Sequence, residues 1–265
     1  MTSNQALSQT QIFKETDKQF ALEEQKTLLK KAIEQRASRR SYTSDPILQS
    51  DVSKLNAIIC EANAHPGARL HFQLVTGAQK AFSSFFKTYG LFSGVHSYII
   101  AAGPKDEPKA QQLLGYYGEL LVLTAQSMGL SSCWVGATYD KSQVSVPVNA
   151  GEKLYCLITL GYAREKHSMG ERLARSVMHR QSHTAGEIME YHGLGQAPGW
   201  FMDGITAVLK APSARNKLPV HFALKQGCVF AWATPNGGYE NIDLGIAKLH
   251  FELGADYIFY DLRKK

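Results

Sequence analysis

One order of elements, a helix, a loop, strands and a further helix, is written twice into the apolar pattern of this chain, and it limits the folds open to it. In the first part, Leu28, Leu29, Ala32 and Ile33 recur at helical spacing within residues 16–35, so a first amphipathic helix is expected to end at an arginine cluster. Asp45-Pro46 breaks the chain. Ser50 and Asp51 can cap a second helix carrying Leu55, Ile58, Ile59 and Ala62, which closes before His65-Pro66-Gly67. Strands are expected over 70–75 and 95–101, and a long helix over 108–128 through Leu113, Leu114, Tyr117, Leu121 and Ala125, with Gly129 as its left-handed stop. Cys133 to Gly136 and Leu154 to Leu160 complete this part as strands.

The last part repeats the order: a helix over 202–209, a loop over 211–216, and strands over 219–224 and 228–234. A Pro235-Asn236-Gly237-Gly238 turn then leads to a helix over 241–253 stopped by Gly254, and to a strand over 257–260. His71-Phe72-Gln73-Leu74 lies over His221-Phe222-Ala223-Leu224 at an offset of 150 residues, and Met128-Gly129 over Leu253-Gly254 at an offset of 125. Any helix, loop and strand succession yields a few such matches; the expectation drawn here is internal duplication. Residues 1–17 are expected to be a flexible N-terminus, followed by one domain with halves at about 18–165 and 200–265 and a linker region at 166–199.

A chain of 265 residues with 44% hydrophobic content can bury one large core. No apolar run reaches the ~20 residues that span a bilayer, and the N-terminus lacks the pattern of a signal peptide, so the protein is expected in the cytoplasm and off membranes. Cys60, Cys133, Cys156 and Cys228 stand singly in apolar stretches, which fits buried reduced thiols and gives no metal site. His179 and His183 have i, i+4 spacing but no third ligand, so a surface pair is expected. Gly193-Leu194-Gly195 and Gly237-Gly238 lack the third glycine of a dinucleotide fingerprint and read as turns. Phe82, Phe85, Phe86 and Phe92 are expected in the core, with an aromatic lid as the alternative.

A net charge of +6 favours an anionic partner: a phosphate-bearing cofactor, nucleic acid or a membrane surface. Lysine and arginine are spread along the chain rather than gathered in a stripe, which argues against nucleic acid, and the local cluster Arg36-Ala37-Ser38-Arg39-Arg40 matters more than the total. In an extended segment Arg36, Ser38 and Arg40 converge on one side, offering two forked guanidinium groups and a hydroxyl, a set suited to a phosphate. A solvated basic helix end complementing the helix dipole is the alternative.

The segment from Ile33 to Ile47, with its Arg-x-Ser-x-Arg-x-aromatic pattern before Asp45-Pro46, resembles the opening of the flavin-dependent nitroreductase superfamily. Ala211-Pro212-Ser213-Ala214-Arg215-Asn216 resembles that family's Pro-Ser-Ala-x-Asn loop, Gly129 to Gly136 its Gly-Leu-x-x-x-Trp-x-Gly strand, and Leu160 to Ala163 its Gly-Tyr turn. The resemblance implies an α+β fold with a mixed, mainly antiparallel sheet flanked by helices, and non-covalent FMN reduced by NADH or NADPH. Arg36, Ser38 and Arg40 would hold the phosphate, with Arg180 as a further basic residue and Arg172 and Arg175 competing for that place. The backbone around Val135 and Gly136 would lie near flavin N5, Trp134 beside them would help bind the cofactor, and Ser213, Ala214 and Asn216 would meet the flavin.

In this chain the Pro-Ser-Ala-x-Asn loop comes after residue 210, whereas the family carries it after the first helices, where His65-Pro66-Gly67-Ala68 stands here. A single-chain, internally duplicated branch resolves the order: the second half plays the partner subunit, giving a monomer that acts as a pseudo-dimer, or a homodimer of such chains. Leu218 stands where the family often has glutamine, and Val220 or its neighbourhood where it has tryptophan. The implied activity is hydride transfer through the flavin to a flat small molecule such as a nitroaromatic or a quinone, with no catalytic side chain needed. The alternative is a non-catalytic flavin- or phosphate-ligand-binding protein on the same fold.

Overall fold

The computed structural model describes residues 23–77, 80–84, 88–177 and 183–258. Helix α1 is described over 23–35 and ends immediately before Arg36, as its apolar spacing predicts. Helix α2 (Gln49–Asn63) buries Leu55, Ile59 and Ala62 but starts without a side-chain cap. Ser50 and Asp51 already lie inside it, where the Ser50 hydroxyl meets Asp51 Oδ1 at 3.5 Å and Leu48 occupies the cap position.

Strands β1 (His71–Val75), β2 (Ser97–Pro104), β3 (Ser131–Val135) and β4 (Glu152–Gly161) form one antiparallel sheet in the order β1-β2-β4-β3. Every residue of β2 is buried, as an interior strand covered on both faces must be. Ile99 and Ala101 point into the main core, whereas Tyr98 and Ile100 point into a second cluster with Tyr42, Phe82 and Phe92. The alternation of side chains along a strand thus separates two apolar layers. Helix α3 (Pro108–Ser127) packs on the main-core side, and Gly129 follows it at φ 81°, the left-handed stop expected there.

Helix α4 (Met169–Val177), the single-turn α5 (Ala185–Ile188) and β5 (Met189–Tyr191) lead to α6 (Gly199–Val208). Strands β6 (Val220–Lys225) and β7 (Cys228–Ala233) then make a second sheet in which β6 runs parallel to β5 and antiparallel to β7. The fold is α+β, with a wholly antiparallel sheet, a smaller mixed one, and helices against both.

Helix α7 (Glu240–Ala255) lies between α3 and α6 and joins the two sheets into one core. Gly115 of α3 sits against the Ile242 carbonyl, and Gly245 of α7 against the Gln112 carbonyl, so close that a Cβ at either position would overlap backbone. Small residues facing each other let the two helix backbones touch.

Three further expectations need correction. Gly254 lies inside α7, packed against Asp203 and Ala207 of α6, and the helix ends instead at Asp256, left-handed at φ 54°. Tyr257 and Ile258 form no strand, and residues 259–260 lie outside the described set. Cys133 and Cys156 are buried, but Cys60 and Cys228 are exposed, the one on the outer side of α2 and the other opening β7. His179, Phe85 and Phe86 fall outside the described residues. His183 pairs with Glu187 at 3.3 Å.

Candidate functional site

The segment after α1 is extended and lies along the outer edge of the first sheet. Ser38 bridges Ser132 of β3 in the parallel sense, and the Arg39 N–H donates to the Ser132 carbonyl at 2.9 Å. Tyr42 anchors the segment: it is 1% exposed, its hydroxyl donates to the Arg39 carbonyl at 2.6 Å and lies 2.7 Å from the Thr159 hydroxyl. Burial pushes that phenol well above its ordinary value, so it stays neutral.

Extended geometry sends alternate side chains to opposite sides. Arg39 turns away from its neighbours to Glu171 of α4, with Nε 2.8 Å from Oε1, and to the Arg164 carbonyl at 2.6 Å. Glu171 also accepts from the Arg40 backbone N–H at 3.1 Å, and His167 Nδ1 stands 3.1 Å from its other oxygen. Burial by itself would raise the Glu171 carboxyl, but these donors, Arg39 foremost, hold it below the usual carboxylate range.

Arg36, Ser38 and Arg40 face the other way, into a cavity of about 530 Å³. That volume lies in the ordinary range for small-molecule and cofactor sites. Trp134, Val135 and Gly136 at the end of β3 line it, as do Ser213, Ala214 and Asn216 from the loop before β6. The structure therefore brings nine of the ten predicted site residues to one cavity; the tenth, Arg180, lies outside the described residues. Phe92, a core expectation, contributes its ring to both the second cluster and the cavity wall, with the Arg40 guanidinium 5.8 Å above it. Leu218 and Val220, where the family motif departs, are buried in the core and do not line the cavity.

The 213–216 loop is held by its own polar groups. The Ser213 hydroxyl accepts the Leu218 N–H at 2.8 Å, and Arg215 and Asn216 both adopt positive φ, at 57° and 54°. Asp243 Oδ1 accepts the Ala214 N–H at 2.9 Å, while Asn236 Nδ2 donates to both the Ala214 carbonyl at 3.1 Å and Asp243 Oδ2 at 3.0 Å. Backbone in the left-handed region costs about 1–3 kcal/mol per non-glycine residue and persists where surrounding contacts over-determine it, as here.

Helix α7 and its N-cap residue supply lining residues that sequence reasoning did not select: Tyr239 at the cap, and Ile242, Asp243 and Ile246 in the helix. Their apolar spacing reads as core, and only the packing of α7 beneath the cavity turns Asp243 into a site residue. Burial raises its carboxyl from the usual value to about 6, against the opposing hydrogen bonds from Ala214 and Asn236. Tyr239 donates to the Gly136 carbonyl at 3.1 Å, and a Cβ at position 136 would stand 2.5 Å from that hydroxyl. Glycine at 136 is therefore a steric requirement of the cavity wall.

The lining is cationic at one end and apolar toward Ile242, Ile246 and Val135. Cys133 and Cys156 also line it, and burial raises both thiols, which keeps them protonated and poorly nucleophilic. Among the described residues no group of three or more His, Cys, Asp or Glu could hold a metal ion, and no helix is long and apolar enough to cross a membrane.

The sequence profile of the family described as Putative TM nitroreductase matches residues 28–255. The chain belongs to this nitroreductase family. The crystal structure of a putative nitroreductase from Thermotoga maritima superimposes with a TM-score of 0.56 over 85% of this chain and 82% of that one, at 20% identity. It shares the fold. A nitroreductase with bound FMN from Bacteroides fragilis gives a TM-score of 0.41 at 22% identity, covering 53% of this chain and 91% of its own. An FMN-dependent nitroreductase from Mycobacterium smegmatis in complex with NADPH gives 0.40 at 14% identity, covering 52% and 89%. No curated protein matches the chain.

Proposed function

We propose that the cavity binds FMN and that this nitroreductase-family chain is an NAD(P)H-dependent flavin oxidoreductase acting on flat, electron-poor acceptors such as nitroaromatics or quinones. One observation carries the reading. Residues selected from two motifs some 175 positions apart, Arg36-x-Ser38-x-Arg40 and Ser213-Ala214-x-Asn216, line a single cavity.

The residues present fit the cofactor. The Arg36 Nε is buried without a hydrogen-bond partner, which a phosphate-bearing ligand beside it would relieve. Arg36 and Arg40 can donate to phosphate oxygens in the forked geometry that guanidinium groups favour, with Ser38 adding a hydroxyl. The apolar middle of the cavity suits a planar ring system, and the indole of Trp134 and the loop at 213–216 would bound its edges.

FMN, when bound, supplies hydride transfer from the reduced nicotinamide to the acceptor through N5. The protein's own task is then to hold the ring, exclude water and leave a flat face open. No nucleophile is required of it, in keeping with the two neutral cavity thiols. We further propose that one chain furnishes both halves of the site, since the arginine segment and the 213–216 loop meet within it.

An absorbance spectrum of purified protein under anaerobic conditions, before and after NADH or NADPH, tests the proposal. Flavin absorbance that bleaches on reduction and returns with a nitroaromatic or quinone supports it. Protein that is colourless and takes up no added FMN removes it, and FMN that neither nicotinamide reduces leaves the non-catalytic binding reading.

A further inference from the structure

Beneath the cationic end of the cavity lies a buried polar network whose members come from four elements. Glu119 of α3 and His250 of α7 are both fully buried. Glu119 Oε2 accepts from Trp134 Nε1 at 2.9 Å, and Oε1 stands 3.0 Å from His250 Nε2. On its other side His250 Nδ1 faces the Ala207 carbonyl of α6 at 3.0 Å. Arg36 Nε lies 3.8 Å from Glu119 Oε1, within ion-pair range but too far for a hydrogen bond. Trp134 and Arg36 both line the cavity.

A carbonyl only accepts, so His250 Nδ1 carries hydrogen, and the 3.0 Å contact between Nε2 and Glu119 Oε1 is a hydrogen bond when one proton lies between them. With a proton shared in that hydrogen bond, on whichever atom, the Glu119 and His250 pair carries no net charge. Both Glu119 oxygens are also already engaged. The carboxylate therefore holds Arg36 in place without consuming its N–H groups or cancelling its charge.

We infer that His250 and Glu119 are positioning residues that keep the Arg36 guanidinium uncompensated and available to an anionic ligand in the cavity. The inference rests on the proposed phosphate role of Arg36. Without the imidazole, Glu119 would be a bare buried carboxylate with Arg36 as its nearest cation, and such a charge is costly enough to draw the guanidinium onto it. The cavity would lose one of the two arginines of its 36–40 segment.

Charge restoration tests this. His250→Gln removes the shared proton and should weaken FMN binding roughly 10- to 100-fold, with a much smaller effect on riboflavin, which lacks the phosphate. Adding Glu119→Gln to that variant should restore FMN affinity to within a few fold. The glutamine pair can keep the Trp134 and Ala207 contacts with no net charge. A purely structural role predicts additive damage in the double variant, so failure of rescue, or equal loss for FMN and riboflavin, overturns the inference. If His250→Gln does not fold, the double variant decides alone: weak FMN binding by a folded double variant overturns it.

Inorganic phosphate, read by its effect on the melting temperature, separates this inference from the flavin reading. Wild type stabilised by phosphate but not by FMN removes the flavin proposal and leaves the same rescue to be read with phosphate. Wild type stabilised by neither overturns both.

Discussion

Asp243 of α7 accepts the backbone N–H of Ala214 at 2.9 Å, tying the longest-range part of the cavity wall to the helix beneath it. Burial lifts this carboxyl from 3.8 to about 6. A folded-state value above the unfolded one means that folding favours the protonated form, so the contribution is fully present below about pH 4 and is lost as pH rises through about 6. Between pH 5 and pH 7 the group should cost the protein on the order of 1 kcal/mol of stability. Asp243→Asn should lack that part of the pH dependence, and urea unfolding of both proteins at the two pH values measures the difference.

Glu171 responds to pH in the opposite sense. Its carboxyl is held low by Arg39, the Arg40 N–H and His167, so its contribution is present above the ordinary carboxylate value and fades as pH falls through the folded one. Glu171→Gln should destabilise the protein by about 3 kcal/mol at pH 7, because it leaves Arg39 without its buried partner. The gap between variant and wild type should narrow in acid, as seen in melting curves recorded from pH 7 downward.

Arg36 and Arg40 should act on the phosphate alone. Arg36→Ala and Arg40→Ala are each expected to weaken FMN by about 1.5–3 kcal/mol while leaving riboflavin affinity nearly unchanged. Fluorescence titration with the two ligands distinguishes them, and unchanged FMN affinity in both variants would remove the phosphate assignment.

Helices α3 and α7 touch through Gly115 and Gly245. Gly115→Ala and Gly245→Ala should each cost about 3 kcal/mol, since the atoms in the way are backbone and cannot rotate aside. The double variant should cost less than the sum, because helices already parted by one methyl have room for the other. Chemical denaturation of the four proteins completes that cycle.

Much of the secondary structure was legible from local pattern. The stop at Gly129, the extended segment after Gln35 and the turn at 235–238 follow from residue types acting on their own backbone. The cap at Ser50, the stop at Gly254 and the exposure of Cys60 and Cys228 were misread, because each depends on which neighbour occupies the adjoining space. Gly254 breaks no helix when Asp203 and Ala207 of α6 press against it.

The motifs in the sequence determined which residues to look for: Arg36, Ser38 and Arg40, the end of β3, and the loop at 213–216. That they line one cavity was decided only by tertiary structure, since the arginine segment lies on the edge of the first sheet and the 213–216 loop precedes β6 of the second, tied to α7 through Asp243. Asp243, Glu119 and His250 were invisible for the same reason. On a helix wheel they are polar interruptions of an apolar face. Their chemistry exists only because α3, α6 and α7 pack close enough to leave water out and bring charged groups from distant segments within hydrogen-bonding distance.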